Sequence, residues 1–90
     1  MARNIKIELY SDDRDFIVDL IYYGLQETVL KKLKRARPNK HGIITCVVDE
    51  YALGDMIGYL SLEANHNKKK SVQERACDIA DTLELYECQH

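Results

Sequence analysis

Hydrophobic and polar positions alternate with a period of two near the start of the chain. Ile5, Ile7 and Leu9 are apolar, and the residues between them are polar or amphipathic. This pattern is typical of a strand with one buried and one solvent-facing side, and it predicts a strand over Asn4 to Tyr10. A second strand is predicted from Ile43 to Val48. Because this segment is apolar on both sides, we expect it to be covered on both faces.

A long helix is predicted between the two strands, from about Asp12 to about Arg37. The acidic residues that follow Ser11 favour a helix start, because side-chain oxygens and carboxylates interact well with the free N–H groups there. The breaker residues 38–42 end it. Within this helix, residues 16–23 are apolar on nearly all sides, which indicates burial, although a strand stays an alternative for them.

Two further helices are predicted after the second strand. Asp49 can cap the first of these, and the apolar spacing then continues to Ala64. The second begins with the capping box Ser71 to Glu74 and continues to about Tyr86. Asn65 to Asn67 closes the first helix, and the connection is short, so we expect an antiparallel helical hairpin.

Two glycines lie four residues apart in the first helix of this hairpin. Gly54 and Gly58 each cost about 1 kcal/mol relative to alanine in a helix interior. Close approach of another backbone would explain this cost, and Gly24 is the expected partner. A kink at one of the two glycines is the alternative.

The order of elements is therefore β-α-β-α-α, and it predicts one domain over residues 1–90 of the α/β class. We expect a small two-stranded parallel sheet packed by three helices, with an α+β arrangement as the alternative. Two strands alone are not a stable sheet, and the apolar first helix requires more cover than this chain supplies. We therefore predict a homodimer.

Positive charge is concentrated in two short stretches, although the formal net charge of the chain is only −2. In a parallel β-α-β-α-α fold, both stretches would lie at one end and form a basic pole. Such a pole would contact an anionic partner, although cations at helix ends are also favoured by the helix dipole alone. The residues of the two stretches are Lys31, Lys32, Lys34, Arg35, Arg37 and Lys40, and Lys68, Lys69 and Lys70.

No motif in the sequence identifies a catalytic, metal or cofactor site, so we expect none of these. Asp12 to Asp15 could hold a hard cation, but helix capping already explains these residues. His66 could pair with Cys46 or Cys77 as a nucleophile, since such partners meet only in space. The four glycines do not form a phosphate-binding loop.

The chain has no apolar run of about 20 residues and no secretory h-region, which predicts a cytoplasmic protein without a membrane partner. We expect a small non-catalytic binding or regulatory module whose basic pole contacts an anionic partner. That partner would be a nucleic-acid backbone, a phosphorylated ligand or an acidic protein face. One alternative is a structural protein that assembles through its apolar helices. The other is a small enzyme with a Cys/His or acidic site.

A further expectation comes from resemblance. Asp49-Glu50, Gly58-Tyr59-Leu60, Glu63 to His66 and Lys68 to Lys70 resemble a helical hairpin found in small bacterial proteins of unknown function. The resemblance covers residues 49–83 and implies no activity. It makes three polar residues beside the basic turn the first to test, namely Glu63, Asn65 and His66.

Overall fold

The computed structural model describes residues 3–88, which form a two-stranded sheet and four α-helices. A 3-10 turn, Tyr22–Gly24, separates the first two helices. The strands are β1 (Asn4–Tyr10) and β2 (Ile43–Asp49). The helices are α1 (Ser11–Ile21), α2 (Glu27–Arg35), α3 (Glu50–His66) and α4 (Lys70–Cys88).

The two strands are antiparallel, so the prediction of a parallel sheet is wrong. The physical reason is that the single long helix predicted between them is two helices. The chain turns between Tyr22 and Gln26, and α2 then runs back toward the end of the sheet at which β1 finishes. The N–H of Ser11 donates to the carbonyl oxygen of Gly42 at 2.8 Å, which places the end of β1 next to the start of β2.

One face of the sheet is buried and the other is open. Three directly opposed pairs face the core, and all six of these side chains are buried: Ile5 with Val48, Ile7 with Cys46, and Leu9 with Ile44. On the other face Thr45 is exposed and Val47 is 45% exposed. The expectation that β2 is covered on both faces is therefore wrong, because the helices cover one side only.

The helical hairpin of α3 and α4 is confirmed. Asp49 caps α3 as predicted, since its Oδ1 accepts from the N–H of Ala52 at 2.7 Å. The capping box at Ser71 is not formed, because α4 already begins at Lys70. Asn67 lies before the helix instead, with extended backbone, and its Oδ1 accepts from the N–H of Lys69 at 2.9 Å.

The glycines of α3 do not approach another backbone. A Cβ atom built on Gly58 would meet nothing within 4 Å, and one on Gly54 would be 3.9 Å from Oε2 of Glu87. The predicted packing of Gly24 against these glycines is therefore wrong. Gly24 instead lies under the ring of Tyr59.

Candidate anion-binding surface

Six cationic residues follow one another closely along α2 and the loop after it. We call these residues the basic segment, and all six are exposed: Lys31, Lys32, Lys34, Arg35, Arg37 and Lys40. Val29 and Leu33, which are 7% and 0% exposed, anchor α2 to the core from its opposite side. Within residues 3–88, one member of the segment has an acidic partner, since Lys31 Nζ lies 3.2 Å from Oε1 of Glu27. The charge of this surface is therefore largely uncompensated.

The end of α2 is held by Arg14 of α1. Its Nη1 donates to the carbonyl oxygen of Leu33 at 2.6 Å and to that of Ala36 at 2.9 Å. The side chain of Arg14 is only 12% exposed. Carbonyl groups at a helix end lack intrahelical hydrogen-bond partners, and here the guanidinium of Arg14 donates to two of them. No sequence pattern indicated this contact, because Arg14 looks like any cation in the first turn of a helix.

Asn39 holds the loop that carries the last two cations. Its Oδ1 accepts from the N–H groups of His41 and Ile43 at 2.8 and 3.1 Å. Its own N–H donates to the carbonyl oxygen of Ile43 at 2.9 Å. Gly42 completes the turn with a φ of +77°, a conformation that other residues rarely adopt. Lys40 therefore projects from a hydrogen-bonded turn, and Arg37 lies between this turn and the end of α2.

The second basic stretch, Lys68 to Lys70, lies elsewhere on the molecule. Asn67 Nδ2 donates to Oε2 of Glu63 at 3.0 Å, and the hydroxyl of Tyr23 donates to the other oxygen of Glu63 at 2.9 Å. Tyr23 follows the end of α1, whereas the basic segment adjoins Arg14 in its first turn. An 11-residue helix is about 16 Å long. The two stretches therefore do not meet in one basic pole, because that arrangement required a parallel sheet and one continuous helix.

The polar cluster expected at the end of α3 is only partly assembled. Glu63 joins Tyr23 and Asn67, and its hydrogen bond raises the pKa of the Tyr23 hydroxyl above its ordinary value. Burial of the hydroxyl and the negative charge of Glu63 also raise the pKa of Tyr23. The side chains of Asn65 and His66 are exposed and make no hydrogen bond or ion pair with other residues of 3–88. Tyr23 is the member that sequence reasoning missed, because its position on a separate element gives no signal.

Two of the alternative chemistries would use a metal ion or a cysteine thiol. Among residues 3–88, no group of three or more His, Cys, Asp or Glu side chains could hold a metal ion. Cys46 is buried, while Cys77 and Cys88 are exposed. Burial raises the pKa of the Cys46 thiol, and the nearby charge of Lys32 opposes this effect only in part. A thiol of this kind is a poor nucleophile near neutral pH.

Comparison with protein-family models, curated proteins and solved structures finds no match for this chain. None of the helices within residues 3–88 combines the length and apolar character needed to cross a bilayer. The functional interpretation therefore depends on the geometry of the surface itself.

Proposed function

We propose that this protein is a small non-catalytic binding or regulatory module whose basic segment contacts an anionic partner. One observation carries the proposal: six exposed cations lie within ten consecutive residues, and a single ion pair compensates them within residues 3–88. Lys68, Lys69 and Lys70 form a separate and smaller basic site.

Helix-end electrostatics account for only part of this charge. Cations in the last turn of a helix gain about 0.3–1 kcal/mol each from the helix dipole, which favours Lys32, Lys34 and Arg35. Arg37 and Lys40 lie beyond the helix, where this effect has fallen off. Like charges three or four residues apart on a helix also repel by about 0.2–0.5 kcal/mol per pair. An anionic partner would relieve that repulsion.

The rigidity of the surface also supports binding. Arg14 fixes the end of α2, and Asn39 fixes the loop. Ordering flexible side chains and loops weakens association, so a surface whose backbone is already ordered loses less free energy on binding. Arg14 and Asn39 thus support the proposed function by ordering the backbone of the basic segment, although they do not contact the partner themselves.

Binding of labelled polyanions, measured by fluorescence anisotropy, tests the proposal. We expect affinity for polyglutamate or single-stranded DNA to fall steeply with salt, because condensed counterions are released on binding. The triple variant Lys34→Glu, Arg35→Glu and Arg37→Glu should lose at least tenfold in affinity.

The chain itself offers a matched control. The triple variant Lys68→Glu, Lys69→Glu and Lys70→Glu changes the net charge by the same amount at the other site, and we expect it to bind nearly as the unmodified protein does. Equal losses in the two variants would mean that binding follows net charge, and the basic segment would not be the site. No binding at low salt would contradict the proposed function.

The open face of the sheet favours an assembly role as a second candidate. Tyr10 is 61% exposed there and Val47 45% exposed, and Ile43 lies directly opposite Tyr10. We propose that the protein forms a homodimer that covers this face. Sedimentation of the unmodified protein and of a Tyr10→Ser, Val47→Thr variant tests this, with a monomer at high concentration as the contradicting result.

A further inference from the structure

The hydrogen-bonding pattern of the sheet shows which backbone groups point away from the partner strand. The N–H of Glu50 donates to the carbonyl oxygen of Arg3 at 2.8 Å, and the N–H of Ser11 donates to that of Gly42 at 2.8 Å. These bonds mark both ends of one antiparallel ladder. Bonded pairs alternate with non-bonded pairs in such a ladder. Every second residue of each strand therefore directs its N–H and C=O outward.

Two outward-facing residues have partners for both backbone groups, namely Glu8 on β1 and Ile43 at the start of β2. On β1, the backbone N–H of Glu8 donates to the hydroxyl of Tyr86, and that hydroxyl donates to the carbonyl oxygen of Glu8, both at 3.3 Å. On β2, Asn39 occupies both groups of Ile43. The protein thus covers these parts of the two edges.

The middle of the β2 edge is free. Within residues 3–88, no hydrogen-bond partner is present for the outward N–H and C=O of Thr45 or for the N–H of Val47. The carbonyl oxygen of Val47 accepts weakly from Lys32 Nζ at 3.4 Å. Thr45 itself is exposed. An exposed edge of this kind is a template for pairing with another extended chain.

Helix α2 runs beside this edge and carries the basic segment. Its first turn adjoins the end of β2 at Asp49, and its last turn leads into the loop before Ile43. Lys32 reaches the edge itself, through its contact with Val47. Arg35 lies three residues later, on the same face of the helix. A free backbone edge and a row of cations therefore occur side by side.

We propose that the anionic partner of this protein is an extended acidic polypeptide that adds to the free edge of β2 as a third strand. This inference depends on the proposed function and gives it a partner class. The backbone of the added strand would pair with Thr45 and Val47. Every second side chain would point to the helix side of the sheet, toward Lys32 and Arg35. Acidic residues at alternate positions match this arrangement.

Other occupants would match either the free backbone edge of β2 or the cations of α2, but not both. A second copy paired edge to edge would place two α2 helices side by side, with Lys32 and Arg35 of each facing like charges. A nucleic-acid backbone would satisfy the cations but offers no N–H groups in strand register to Thr45 and Val47. An acidic polypeptide supplies the charge and the backbone donors and acceptors together.

The test uses a fluorescein-labelled seven-residue peptide, the length of β2, with glutamate at alternate positions and threonine between them. Thr45→Pro removes an outward N–H, which an edge strand tolerates. We expect it to weaken binding at least tenfold. The matched control is Lys6→Pro, which removes an outward N–H from β1, directly opposite Val47, and should bind as the unmodified protein does.

Two measurements use the unmodified protein and so do not depend on the variants. The first compares two N-methylated versions of the peptide, one methylated on the backbone nitrogens of its glutamates and the other on those of its threonines. We expect only one version to lose binding, because only one edge of the added strand pairs with β2. Hydrogen exchange at Thr45 and Val47 should slow on peptide binding.

The possible failures are distinguishable. Peptide binding that needs the basic segment but survives Thr45→Pro and both N-methylations would overturn the added strand and leave the proposed function standing. Binding of single-stranded DNA but not of the peptide would do the same. Amide hydrogen exchange at Thr45 could instead be slow in the concentrated protein without peptide and become fast on dilution. That result would identify a second copy as the occupant of the edge and overturn the inference. No binding of any polyanion at low salt would overturn both proposals.

Discussion

A Cβ atom at Gly24 would lie 2.5 Å from Cε2 of Tyr59. Because position 24 has no side chain, the ring of Tyr59 covers the 3-10 turn between α1 and α2. The same ring packs edge to face on Tyr23, with centroids 5.6 Å apart. This turn is where the chain reverses, so the contact of Gly24 with Tyr59 stabilises the reversal that makes the sheet antiparallel.

Gly24→Ala should therefore destabilise the protein. The added methyl group cannot fit until the ring of Tyr59 moves, and overpacking of this kind costs about 1–3 kcal/mol. Chemical denaturation followed by circular dichroism measures the loss. In a Tyr59→Leu background, the same substitution should cost clearly less.

Gly58→Ala is the matched control. A Cβ atom there meets nothing within 4 Å, and alanine favours the helix by up to about 1 kcal/mol. We expect this variant to be more stable than the unmodified protein. Equal effects at the two positions would show that the ring of Tyr59 does not constrain position 24.

Arg14→Lys should loosen the end of α2. A lysine keeps the charge, but its side chain is one bond shorter and has no counterpart of Nε, so it cannot hold the carbonyl oxygens of Leu33 and Ala36 and the carboxylate of Asp15 together as the guanidinium does. We expect a loss of about 1–2 kcal/mol in the free energy of unfolding, within the usual range for hydrogen bonds to charged groups. Arg37→Lys, at an exposed position without an ion pair within residues 3–88, serves as the control and should change stability little. Similar losses for the two variants would contradict the capping role.

Cys46 should react slowly with thiol reagents near neutral pH, while Cys77 and Cys88 react readily. Burial both blocks access to Cys46 and raises its pKa, which lowers the thiolate fraction. Mass spectrometry after timed alkylation measures the three rates. Fast labelling of all three thiols in the folded protein would contradict the structure.

The raised pKa of Cys46 also predicts a pH dependence of stability. The unfolded chain releases this proton first, near the ordinary thiol pKa of about 8.5, so the folded state loses stability as pH rises above that value. Denaturation midpoints measured across this range test the sign. A Cys46→Ala variant should lose this contribution, whereas a Cys77→Ala variant should keep it.

Tyr23 should ionise at higher pH than an ordinary tyrosine, because its hydroxyl donates to the carboxylate of Glu63. Absorbance titrations that follow tyrosinate formation, compared between the unmodified protein and Tyr23→Phe, isolate the ionisation of Tyr23. Glu63→Gln keeps an acceptor but removes the charge, and it should bring the pKa of Tyr23 back toward its usual value. No change on this substitution would show that the contact is not formed in solution.

The local features of the chain could be predicted because they depend on neighbouring residues. The alternation of Ile5, Ile7 and Leu9 predicted β1 and its buried face correctly. Asp49 was identified as the cap of α3, and the hairpin of α3 and α4 was confirmed. In each case the signal and its structural consequence lie within one element or its immediate flank.

The direction of β2 and the location of the basic residues could not be predicted in this way. Both depend on the turn at Gly24, which the apolar run around it masked. The turn is stabilised from a distant element, by Tyr59, and the end of α2 is held by Arg14, 19 residues before Leu33. The sequence by itself determined the strands, most helix ends and the clustering of charge, since these follow from local periodicity and capping. Only the tertiary structure decided that the sheet is antiparallel and that the two basic stretches lie apart, because both follow from contacts between residues far apart in the chain.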